Sequence, residues 1–197
     1  MLYTLFFHAV CVPSANATAV AKLNQPAPDF SLKDLDGETF VLSQHRGSLV
    51  VLEWFNPDCP FTRFSHSEGP LFDLPEKTVA KHPGVVWVAV NSSAPGREGH
   101  GLERNRAAHR QYGLQIPILQ DESGRVGRAY GAKATPQFFV IDGRGVLRYR
   151  GAPDNAPMGE RSSEPYAAYL VRAIDAIAVG QAPKPAETRA YGCSVKY

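Results

Sequence analysis

At 197 residues, 44% hydrophobic and 20% charged, the chain can bury one substantial core, which excludes a disordered protein and fits a single domain with extensions. Its net charge of +2 comes from interspersed acids and bases, with no basic stripe to track phosphates, so nucleic acid is excluded as a partner. Past the first residues no run of about 18 apolar residues occurs, and no internal membrane span is expected.

The opening "MLYTLFFHAVCVPSANATA" combines an apolar run from Leu2 to Val12, a helix-breaking Pro13, and Ala15-Asn16-Ala17 as an A-x-A cleavage site. Residues 1–17 therefore read as a signal peptide, and the protein as exported to the periplasm or another extracytoplasmic space. The segment lacks the usual Lys or Arg before its apolar run. An ordinary buried N-terminal helix fits less well, because the segment is short and ends in small residues. Residues 18–180 then form the domain and 181–197 a C-terminal tail. Cleavage leaves two cysteines, Cys59 and Cys193, too few for a disulfide framework, so redox chemistry becomes the question.

"PDFSLKDLDGETFVLSQHRG" alternates around Asp36-Gly37 and predicts an N-terminal β-hairpin. "SLVVLEWF" is a continuous apolar run of the kind found in central parallel strands. Residues 60–81 are mostly helical, with a break at Gly69-Pro70. "GVVWVAVNSS" is a second buried strand, "LERNRAAHRQYG" a helix ending at Gly113, and "IPILQD" a short strand before a brief helix at 126–130. "PQFFVID" and "VLRYRG" form an antiparallel hairpin, and an amphipathic helix spans about 163–179. This order implies an α/β fold with a central mixed sheet flanked by helices, whose chemistry sits at the carboxyl ends of the central strands.

Cys59 lies at that edge, where "SLVVLEWF" gives way to "NPDCPFT". At a helix N-terminus, unpaired N–H groups and the helix dipole favour thiolate over thiol, and Pro60 suits the first helical position because it has no N–H to satisfy. The neighbouring Asp58 opposes this effect if its carboxylate lies close. Buried structural thiols are common, but this position favours a redox-active one. The histidines His45, His66, His82, His100 and His109 show no metal-ligand spacing, and neither metal nor cofactor is assigned. The loop "NSSAPGREGHG" fits either a substrate groove or a long connection.

A strand ending in an aromatic residue, a Cys-Pro at the next helix's start and a later "ATPQFFVID" together resemble the thioredoxin fold. "EWFNPDCPF", "GVVWVAVNSSAPG" and the terminal "GCSVKY" are similar to the peroxiredoxin-like branch of the alkyl hydroperoxide reductase and thiol-specific antioxidant (redoxin) family, over about residues 25–197. The resemblance implies a cis Pro136 facing Cys59, with Thr135 offering its backbone to an extended peptide, and Pro60 and Thr62 beside them in the substrate site. It also implies that Glu53, six residues before Cys59, matches the buried acid that assists proton transfer; a solvated or salt-bridged Glu53 is the alternative.

The chain departs from this pattern in two ways. The usual C-x-x-C is "CPFT", so Thr62 stands where a resolving cysteine would, and Cys193 is the one mature cysteine left for that role. Cys193 could pair reversibly with Cys59, staple the chain permanently with on the order of 5 kcal/mol of chain-entropy stabilisation, or stay unpaired. In the peroxidase pattern P-x-x-x-T-x-x-C, Asn56 and Leu52 occupy the threonine and proline positions. The expected function is thus an exported thiol-disulfide oxidoreductase with Cys59 attacking, its partners being protein thiols and disulfides or a small thiol reductant. A thiol-dependent peroxidase and a non-catalytic partner-binding module are the alternatives.

Overall fold

The computed structural model describes residues 20–161 and 163–197; the signal-peptide reading of 1–17 lies outside the described residues. Nine strands and five α-helices are found among them: β1 (Ser31–Lys33), β2 (Thr39–Val41), β3 (Val50–Trp54), α1 (Pro60–Ser67), α2 (Leu74–Lys81), β4 (Val86–Asn91), α3 (Leu102–Gln111), β5 (Ile118–Gln120), α4 (Arg125–Tyr130), β6 (Ala134–Thr135), β7 (Gln137–Ile141), β8 (Leu147–Gly151), α5 (Tyr169–Ala178) and β9 (Cys193–Ser194). None of these helices is long and apolar enough to cross a membrane.

The main sheet runs β2-β1-β5-β4-β3-β7-β8. β3, β4 and β5 are parallel, while β1 joins β5, and β7 joins β3 and β8, antiparallel. All five residues of β3 are buried because both sheet faces are covered, which is why its sequence is continuous rather than alternating. Val51, Phe55 and Phe138 pack on one face with α5 residues Leu170, Ile174 and Ile177. Leu52, Trp54 and Phe139 pack on the other with Phe30 and the α4 residues Val126 and Tyr130.

The predicted hairpin forms as β1 and β2, and Gly69-Pro70 separates α1 from α2. The last helix is shorter than expected and starts at Tyr169. Pro165 disfavours helical geometry in the residue before it. The segment is instead held open by Asn155, whose side chain donates to the Pro165 carbonyl and accepts from the Ala167 amide. The tail folds back over the domain. It runs beside β8, with Arg150 N–H donating to Ala186 O and Thr188 N–H to Arg150 O, then pairs β9 antiparallel with β6.

Candidate active site

Cys59 is the N-cap of α1 and Pro60 its first residue, as the local sequence requires. The strand–helix junction buries the Cys59 side chain completely. As a thiol it donates to the Thr135 carbonyl at 3.0 Å, across the cis Thr135-Pro136 bond. Cys59, Pro60, Thr62, Thr135 and Pro136 therefore gather at one edge of the sheet. Thr62 is wholly buried, and its hydroxyl has no hydrogen-bond partner.

The tail brings Cys193 to the same place. Thr135 and Cys193 are register partners in the β6–β9 pair, which sets the Cys193 thiol near enough to Cys59 for each to shift the other's titration. Both are free thiols. Burial pushes the Cys59 thiol up, but hydrogen bonds from the Cys193 thiol, the Thr135 side chain and the backbone amides of Thr62 and Cys193 outweigh it and hold Cys59 below the ordinary thiol value. Burial, then the hydrogen bond to Cys59 and its charge, push Cys193 up to about 12. Of the two, Cys59 is therefore the first to give up its proton, and Cys193 keeps its own.

Asp58, next to Cys59, is engaged by other partners. Its carboxylate accepts from Arg104 at 2.6 Å and from the Gly99 amide at 2.9 Å. Gly99 can approach so closely because it has no side chain: with φ +81°, a Cβ there would stand 2.1 Å from Asn56 Oδ1. The loop "NSSAPGREGHG" is thereby tied to the site, and it also holds the tail. Ala94 N–H donates to Lys196 O at 2.8 Å, and Lys196 pairs with Glu98 at 3.3 Å.

Glu53 is fully buried and not solvated. Its Oε1 lies 2.7 Å from His66 Nε2, and Oε2 has no partner. His66 escaped the sequence reading, which weighed the histidines only for metal-ligand spacing. The signal was present: Thr62, Ser65 and His66 are spaced three and four apart, the interval of one helix face, and all three are buried in α1. Tyr191 and Gly192 were also missed. Tyr191 donates to Asp154 at 2.7 Å and packs its ring 6.1 Å from that of Phe61.

Residues 23–150 match the AhpC/TSA family. Thiol-disulfide oxidoreductase ResA of Geobacillus thermodenitrificans is 34% identical over 132 residues, which cover 66% of this chain and 69% of that protein. The chloroplastic peroxiredoxin Q of Populus jackii is 28% identical over 152 residues, covering 71% and 67%. The crystal structure of a hypothetical protein from Sinorhizobium meliloti 1021 superposes with a TM-score of 0.76 at 30% identity, covering 89% of this chain and 94% of that one.

Proposed function

The chain belongs to the AhpC/TSA family, and on that premise we propose that it is an exported thiol-disulfide oxidoreductase in which Cys59 attacks and Cys193 resolves. The observation that carries this reading is the pairing of a thiolate-favouring Cys59 with the Cys193 thiol across Thr135. Cys59 thiolate attacks one sulfur of a substrate disulfide. A Cys59–substrate disulfide forms, and the other substrate sulfur leaves with the electron pair and takes up a proton.

The mixed disulfide removes the negative charge from Cys59, and with it two of the causes that hold Cys193 protonated. Cys193 then loses its proton and attacks the Cys59 sulfur, releasing the second substrate thiol. The substrate gains two electrons and the enzyme holds a Cys59–Cys193 disulfide, which a small thiol or a dithiol protein reduces. Run backwards, the same steps oxidise a dithiol. Glu53 and His66 serve the proton transfers, while Thr135, Pro136, Pro60 and Thr62 hold the substrate. Export rests on the reading of residues 1–17.

A peroxidase is the second reading, favoured by the likeness to peroxiredoxin Q. Against it, Leu52 is packed in the core, and Asn56 is committed to the Asp58 amide and the Glu98 carbonyl, so neither offers a hydroxyl to a peroxide.

Equilibration in glutathione buffers followed by acid quenching and mass analysis tests the proposal. Wild type is expected to interconvert reversibly between the dithiol and an intramolecular disulfide, whereas Cys193→Ser accumulates Cys59 bonded to glutathione. A disulfide that resists excess reduced glutathione, or none at all, contradicts it.

A further inference from the structure

Residues 185–197 lie along the active-site edge, with Val195 packed against the core. Thr188 Oγ1 accepts from Ala152 N–H at 2.9 Å, and Tyr197 donates to Ala132 O at 2.8 Å with the Arg128 guanidinium over its ring. Around residues 185–192 the strap crosses space it does not fill. Grooves of about 760 Å³ and about 570 Å³ flank it, and both are lined by Glu187, Thr188, Arg189 and Ala190.

The strand that the tail adds has the register an incoming peptide needs. Cys193 pairs with Thr135 and directs its thiol at Cys59, which has no exposed surface while the tail is seated. The residue before it is fixed by geometry. Gly192 has φ +118°, and a Cβ there would stand 2.1 Å from the Thr135 carbonyl oxygen. Any other residue in this seat is strained and collides with backbone.

We infer that the segment Gly192–Ser194 is a tethered stand-in for substrate: the enzyme takes extended polypeptide segments whose reactive cysteine follows a glycine, and each must displace the tail from Thr135. This rests on Cys59 being the attacking thiol. It gives the resolving step a physical form. One backbone edge cannot pair two strands, so the tail retakes its place as the substrate strand lifts away, and its return delivers Cys193 to the mixed disulfide.

The test uses the full chain carrying Cys11→Ser, which leaves Cys59 as the one reactive thiol, and Cys193→Ser, which keeps the backbone pairing and stops resolution. The probe is the heptapeptide YGCSVKY with its cysteine activated as a thiopyridyl disulfide. Cys59 attacks the peptide sulfur, the peptide–pyridyl S–S bond breaks, and pyridinethiolate leaves with the electron pair and takes up a proton as thiopyridone, read by absorbance. Adding Gly192→Val, or separately Tyr197→Ala at the far anchor, is expected to raise the rate at least about tenfold, because reaction is limited by the fraction of molecules with the edge free. On these unseated proteins a peptide with leucine in place of the glycine is expected to react at least about tenfold more slowly. Equal peptide rates with and without both releasing substitutions overturn the tail proposal, and equal rates for the two peptides overturn the glycine requirement. The small reagent 2,2′-dithiodipyridine separates the two levels: failure of Cys59 to react with it in the unseated proteins contradicts the underlying reading of Cys59.

Discussion

Cys59→Ser is expected to reduce thiol-disulfide exchange to the uncatalysed background, a loss of more than about 1,000-fold, because a serine oxygen cannot form or release a disulfide. The substitution changes one atom at a fully buried position and adds no bulk to the N-cap of α1. The loss therefore reports chemistry and not unfolding, as an unchanged urea midpoint verifies. Cys193→Ser is expected to differ in kind. Its hydroxyl can still donate to the Cys59 thiolate, so a single-turnover attack continues, but multiple turnover stops at the mixed disulfide. Rates of insulin disulfide reduction and of one-turnover dithiodipyridine cleavage separate the two variants. If Cys59→Ser kept wild-type turnover, Cys59 would not be the attacking thiol; if wild type had none while both proteins bound a disulfide-bearing partner equally, the protein would be a binding module.

His66→Ala is expected to cost about 1–3 kcal/mol of unfolding free energy, the range found when a buried polar group is left without its hydrogen-bond partner. One Glu53 oxygen already lacks a partner, and removing His66 orphans the other at a fully buried site. Chemical denaturation of the reduced protein measures the loss; a change below about 1 kcal/mol would contradict the geometry of the pair. The size of the loss says nothing about why the pair exists. Replacing both partners with apolar residues of similar volume is often neutral or stabilising, so the double substitution Glu53→Leu with His66→Leu is expected to recover much of the stability. A role in proton transfer is read separately, from the pH profile of exchange in Glu53→Gln, which keeps the shape of the side chain.

The parts of the fold that the sequence displays are those whose signals are local. "SLVVLEWF" and "GVVWVAVNSS" are buried on both faces and so apolar without alternation, and they became the parallel pair β3 and β4. The strand-to-helix switch at Cys59-Pro60 was legible for the same reason, whereas the Thr135-Pro136 pair was legible only through the resemblance to the thioredoxin fold. β9 was not, because two residues, Cys193 and Ser194, carry no periodicity. Its seat depends on contacts far away in sequence: Gly192 against Thr135, Tyr191 against Asp154 and Tyr197 against Ala132. The helix at 163–179 was overextended because its apolar spacing outweighed Pro165 in the reading, whereas in the fold Asn155 captures the backbone there. His66 is the informative miss at the site. A histidine without metal spacing can still be half of a buried pair, and only the face it shares with Thr62 and Ser65 reveals this.

The most direct measurement is the thiolate absorbance at 240 nm against pH for the reduced protein, with Cys59→Ser, Cys193→Ser and Cys193→Ala alongside. Wild type is expected to show a single transition below the ordinary thiol value, with Cys193 titrating at about 12. The low transition should vanish in Cys59→Ser, persist in Cys193→Ser, which can still donate a hydrogen bond, and move upward in Cys193→Ala, which cannot. Exchange rates should follow the same curve, falling as pH drops through the Cys59 transition. A Cys59 that titrates like an ordinary cysteine, indifferent to residue 193, would contradict the account.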